Sequence, residues 1–208
     1  MPSCPVHLKA AFLLCDKLGI ENKPDFFLGS IAPDCVNLDG FASQEIRYGA
    51  HIRVVNPQIW KSNMKKFYEE NKFIFKDNSD FLKGYLFHCF TDVSWDECIQ
   101  PKLFAFLDSL GISDEEKRQA KWEELYRFNG VLVNENWYNQ ALDYVSKGTP
   151  QNIATVTAQQ IDAYRNYIIN DYKDKTYSHP PAFLNSGHID EVCQYMLKSI
   201  RETPYKAL

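Results

Sequence analysis

The sequence predicts an all-α protein, a multi-helix bundle of about seven to nine helices forming one domain over residues 1–208. Three observations carry this expectation. Apolar residues recur at spacings of three and four along most of the chain, and no useful length alternates with a period of two. No Asn-Gly or Asp-Gly step is flanked by the alternating apolar runs that a hairpin needs. Helix-start chemistry appears repeatedly, in Asn56-Pro57, in Ser113-Asp114-Glu115-Glu116 and in Thr157-Ala158-Gln159-Gln160.

The elements follow in order. Val6, Ala10, Leu13, Leu14 and Leu18 form one face of a first helix, and Gly19 stops it. Pro24 opens a short helix that leads to a turn at Pro33. Residues 35–53 contain Gly40 and Gly49 with weak periodicity, and they read as a long loop with one turn of helix. Asn56 caps a helix over 58–75 with Ile59, Trp60, Met64, Phe67 and Tyr68 facing inward. Asp77 or Ser79 caps a central helix running to the mid-90s. Lys102 to Leu110 is a further helix, closed by Gly111. The Ser113 box starts a helix toward Arg127, and Asn134 to Val145 is the next, ended by Gly148-Thr149-Pro150. The Thr157 box opens a helix to about Asp174, residues 177–185 read as a loop, and Ser186 caps a last helix through Arg201.

A net charge of −4 supplies no electrostatic reason to expect nucleic acid or an anionic membrane as the main partner. No apolar run reaches the ~18 residues needed to span a bilayer. The segment Met1 to His7 lacks a basic stretch followed by an apolar one, so a cytoplasmic location is expected. The six cysteines show no Cys-x-x-Cys pair and read as buried free thiols. The later aromatics Trp122, Tyr126, Phe128, Trp137, Tyr138, Tyr144, Tyr164 and Tyr167 read as core.

The central helix, Phe81 to Trp95, is apolar nearly all round and should be buried on every side. It nevertheless carries His88 and Asp92, four apart and therefore on one face. A buried ionised carboxylate needs a cation, an Arg or several donors. His7 begins the first helix, His51 lies among Tyr48-Gly49-Ala50-His51-Ile52, and Asp34 follows Ala32-Pro33. Imidazole and carboxylate are the usual ligands of zinc, or of iron and manganese where more oxygen is present. Gly84, one turn before His88, would admit a close backbone, such as the Asp34 or His51 loop. The bland alternatives stand beside this: a core hydrogen-bonded His, an Asx-turn at Asp34, and a His88–Asp92 pair without metal. His179 and His188 read as exposed loop and helix-start residues. No Gly-x-Ser-x-Gly elbow, Walker loop or dinucleotide fingerprint is present.

One family resemblance is carried by these residues. A His near the start of the first helix precedes Phe27-Leu28-Gly29-Ser30-Ile31-Ala32-Pro33-Asp34. A loop His, His51, is followed by Phe-Leu-x-Gly-Tyr-x-x-His-x-x-x-Asp-x-x-Trp from Phe81 to Trp95. Over about residues 5–100 this resembles the zinc-dependent phospholipase C family, whose all-α fold is shared with P1-type nucleases. The resemblance implies metal ligation by His7, Asp34, His51, His88 and Asp92, with Asp34 also orienting the attacking water as the catalytic residue. The family continues past the central Asp with another His. In this chain Asp96, Glu97 or Cys98 would take that place. Its later His-x-x-x-Glu pair has only His188 with Glu191, or Glu123, Glu124 and Glu135, as counterparts. The resemblance therefore implies one or two divalent ions, zinc foremost, and hydrolysis of a small phosphoester or lipid headgroup by metal-activated water. A non-catalytic helical relative that keeps a partial metal site is the alternative. An HD-type phosphohydrolase is disfavoured because no His-Asp dipeptide occurs.

Overall fold

The computed structural model describes residues 2–170, 172 and 179–202. Among them the chain forms ten α-helices, two 3-10 segments and no β-strand. The organising element is α5, Ser79–Cys98, in which every residue from Gly84 to Trp95 is buried. Its apolar surface is continuous around the axis, so it must be covered on all sides. The cover comes from α1 (Cys4–Leu14), α2 (Lys23–Gly29), α4 (Pro57–Asn71), α6 (Gln100–Ser109) and α10 (Ser186–Glu202). Each large apolar side chain buried this way contributes roughly 1.5–3 kcal/mol. Leaving Asp92 charged and unpartnered among them would cost several kcal/mol per ion, as much as two such side chains supply.

The closest approach is between α2 and α5. Gly29 and Gly84 face each other, and a Cβ built on Gly84 would lie 2.1 Å from the Phe26 carbonyl oxygen. The backbone admitted at Gly84 is thus α2, which leads into the Asp34 segment, and not the His51 loop.

The remaining helices are α3 (Gln44–Ala50), α7 (Asp114–Leu132), α8 (Asn136–Lys147) and α9 (Ala158–Asn170). Residues 35–53, expected as a long loop, are more ordered: a 3-10 segment, Ala32–Asn37, is followed by α3, which Ser43 caps through the Ile46 amide. The missed helix has little apolar periodicity because only Ala50 of it is buried. It accounts for a count of ten against the expected seven to nine. The first helix ends at Leu14, earlier than Leu18, and Ile59 is 54% exposed although it was expected inward. Both expected capping boxes form. Ser113 and Glu116 satisfy each other's amides. Thr157 and Gln160 do the same at 2.9 Å and 3.2 Å. The end expected for α9, Asp174, and the first two residues of the following loop, 177 and 178, lie outside the described residues. The six cysteines are unpaired, all buried but the half-buried Cys98. Among the described residues no helix is long and apolar enough to cross a membrane.

Glu124 of α7 is buried and accepts three backbone amides, from Ala182 at 3.0 Å, Phe183 at 2.5 Å and Leu184 at 2.8 Å. Its carboxylate therefore anchors the segment that enters α10 and is not free as a metal ligand. Glu124→Gln, which turns an NH2 toward these donors, is expected to cost about 1–3 kcal/mol. A shift of the urea midpoint without loss of metal binding would verify it.

Candidate metal centre

Four separate segments deliver five polar side chains to one point. His7 comes from the first turn of α1, where Pro5 pre-sets the helix start. Asp34 comes from the 3-10 segment that Pro33 initiates. His51 is the residue that closes α3, and Ile52 after it adopts φ +54°, turning the chain away. His88 and Asp92 come from successive turns of α5. All five are buried, and Asp34 alone keeps a measurable exposure, 13% of its side chain.

The distances define a cluster. His7 Nε2 lies 3.4 Å from Asp92 Oδ1, and the Nε2 atoms of His51 and His88 each lie 3.7 Å from Asp92 Oδ2. Asp34 Oδ1 stands 3.3 Å from His51 Nε2 and 4.0 Å from His88 Nε2. The rings of His7 and His88 stack at 3.8 Å. Two groups, His7–His88–Asp92 and Asp34–His51–His88, each bring their ligand atoms within 4.8 Å of one another, and they share His88.

The backbone sets the tautomers. His51 Nδ1 lies 2.8 Å from the Arg47 carbonyl oxygen, and His88 Nδ1 lies 2.9 Å from that of Ser30. A carbonyl oxygen only accepts, so both Nδ1 atoms carry the proton. In the neutral ring Nε2 then holds a lone pair, the arrangement a metal ligand requires. Those lone pairs meet carboxylate oxygens, which are acceptors too. Neither nitrogen of His7, neither Nε2 of His51 and His88, and neither oxygen of Asp92 has a hydrogen-bond partner. Buried polar atoms left unpaired cost about 1–3 kcal/mol each. One divalent cation would satisfy all of them at once. The residues present thus fit a metal of the zinc type, with mixed imidazole and carboxylate donors.

The remaining expectations resolve differently. Asp96 is bound to Arg53 at 2.6 Å, Glu97 pairs with Lys61 at 2.6 Å, and Cys98 donates its thiol to the Ser94 carbonyl at 2.8 Å. None of the three joins either group. His179 is exposed. His188 accepts the Asn185 amide at 3.1 Å and packs on Phe183. Glu123 pairs with Arg127 and Gln119, Glu135 accepts Lys9 and Trp137, and Glu191 pairs with Lys102.

A cleft of about 600 Å³ opens above the cluster, with Asp34 as the shared residue. Trp122, Tyr126, Tyr164 and Tyr167, expected as core, line it along with Arg47, Arg53 and Lys121; Tyr164 is also in the core, and Trp122 and Tyr167 pack against it. These cations carried no motif. They come from α3, the segment after it and α7, and only the folded cleft makes them neighbours.

Protonation follows the packing. Burial drives His88 down to about 3, with the charge of His7 adding to it. Burial works to raise Asp34 and Asp92, but the surrounding imidazoles, His88 foremost, hold both below their ordinary range. Burial works to lower His51, yet the Asp34 carboxylate 3.3 Å away and the charge of Asp92 leave it raised. The unfolded chain protonates His88 near pH 6.5. Its contribution to stability is therefore present above about pH 6.5 and lost as pH falls toward about 3. The depressed carboxylates act in the same sense, their contribution being lost as pH falls through their folded values. His51 has the opposite sign: its contribution is full below about 6.5 and lost as pH rises through its raised folded value. Metal-free protein is expected to lose stability on acidification from about pH 6.5, by up to about 1.4 kcal/mol per pH unit for each proton concerned. Urea midpoints from pH 3 to 9 measure it. An acid limb beginning only below about pH 4 would contradict a neutral buried His88.

A scan of protein-family models returns no match to this chain, and searches of curated proteins and of solved structures return none either.

Proposed function

We propose that this protein is a metal-dependent phosphoesterase that hydrolyses a phosphodiester or phosphomonoester. The observation that carries the reading is the convergence of five buried ligand-type side chains, mostly unpaired, beneath an open cleft that also holds cations. His7, Asp34, His51, His88 and Asp92 would hold the metal, zinc first among candidates, and the shared His88 suits one or two ions. When bound, such an ion supplies Lewis acidity toward phosphate oxygens and makes water a nucleophile near neutral pH. Asp34 is the one member of the cluster that reaches the cleft. Its depressed pKa keeps it an acceptor, so it can take a hydrogen bond from the attacking water and orient it. The apolar walls of α5 and α2 exclude bulk water from the other four.

Protein purified without added metal is expected to carry one or two equivalents of divalent ion by mass spectrometry. It should hydrolyse bis(p-nitrophenyl) phosphate, lose that activity to chelator and regain it with zinc or manganese. Metal without hydrolysis would point to the structural role instead. Protein that takes up no metal and stays inactive with zinc and manganese would end the proposal.

A further inference from the structure

The same cleft has a charge pattern that bears on the substrate. Its charged lining consists of Asp34, Arg47, Arg53, Asp96 and Lys121. Asp96 is used by Arg53 at 2.6 Å, and Asp34 belongs to the metal cluster. Two cations are left over. Arg47 donates Nε to the Ala42 carbonyl at 3.1 Å, and Lys121 reaches the neutral Gln100 side chain at 3.1 Å. Among the described residues no carboxylate forms an ion pair with either. This surplus of positive charge occurs in a chain whose net charge is −4.

Building on the phosphoesterase reading, we propose that Arg47 and Lys121 bind a second anionic group of the substrate, a phosphate or carboxylate apart from the ester that is cleaved. The two come from different helices, α3 and α7, so they meet only in the folded cleft. Arg47 sits on the turn of α3 whose carbonyl orients His51, which ties the anion site to the metal cluster. Arg offers a planar fork that matches phosphate or carboxylate, while Lys acts as a point charge. Burial pushes the Lys121 ammonium below its ordinary pKa, and an anion beside it would offset that cost. A cationic headgroup such as choline would meet two uncompensated positive charges and be disfavoured.

The test is calorimetric binding of pyrophosphate, glycerol phosphate and phosphocholine to dialysed, metal-free full-length protein. Pyrophosphate is expected to bind wild type, and to bind Arg47→Met and Lys121→Gln at least about tenfold more weakly. Arg47→Lys, which keeps the charge and loses the fork, should bind between wild type and Arg47→Met. It also separates loss of charge from loss of fold. Glycerol phosphate should bind more tightly than phosphocholine. No pyrophosphate binding to wild type, unchanged binding in both charge-removing variants, or preference for phosphocholine would overturn the proposal. Bis(p-nitrophenyl) phosphate has no second anionic group, so its hydrolysis tests the phosphoesterase reading separately. Pyrophosphate binding by a protein that hydrolyses no ester keeps the anion site and removes only that reading.

Discussion

Stripping divalent metal from the protein is expected to lower its melting temperature by about 8–16 °C, and Asp92→Asn is expected to abolish that response. A ligand present at a thousand times its dissociation constant stabilises the folded state by about 4 kcal/mol. For a chain of this size each kcal/mol moves the melting temperature by about 2–4 °C. The effect is large because the cluster is completed only by folding. Its ligands come from α1, the 3-10 segment, α3 and α5, so the unfolded chain offers no comparable site. Asp92 is the most exacting position. One of its oxygens faces His7 and the other faces both His51 and His88. An amide at this position removes the buried negative charge that draws a cation into the cluster. Scanning calorimetry of both proteins, with chelator and with zinc, makes the comparison. Equal melting temperatures of wild type in chelator and in zinc would contradict the metal centre itself.

Gly84→Ala is expected to destabilise the protein by about 3–5 kcal/mol, at the top of the range for overpacking or beyond it. On an exposed helix the same change would stabilise by about 1 kcal/mol. Here the added methyl would sit 2.1 Å from the Phe26 carbonyl oxygen and 2.9 Å from its carbon. Those atoms are backbone and cannot rotate aside. The opposing Gly29 is equally tight, with its Cβ position 2.3 Å from the Phe81 carbonyl oxygen, so α2 and α5 must separate. Separation also draws the Ser30 carbonyl away from His88 Nδ1 and frees the tautomer. Loss of such an orienting bond lowers metal affinity by about 10–100-fold. Urea denaturation and a zinc titration report the two effects. A gain in stability would show that the helices pack further apart than they stand here.

Much of the helical layout was legible because its signals are local. The capping boxes at Ser113 and Thr157, the proline starts at Pro24 and Pro57, and the glycine after Leu110 act within one turn. The burial of α5 was equally plain from its uninterrupted apolar surface. Helix α3 was not, because it lies at the surface with almost no apolar face to set a period. His88 and Asp92 stood out as polar residues in an apolar helix. His7, Asp34 and His51 carry no such local signal; their side chains gain meaning once folding sets them beside His88 and Asp92.

The sequence by itself determined that this is an all-α chain with a wholly buried central helix, and that His7, Asp34, His51, His88 and Asp92 are the polar residues needing an explanation. Tertiary structure decided which of their atoms face each other. It assigned the Arg47 and Ser30 carbonyls as the groups that fix two tautomers. It withdrew Asp96, Glu97, Cys98 and Glu124 from the list of ligands by pairing each elsewhere, and it turned four of the later aromatics toward a cleft. The physical reason is range. Helix periodicity and capping act over three or four residues, whereas a carboxylate's choice of partner depends on groups up to 126 residues away that only packing brings within 4 Å.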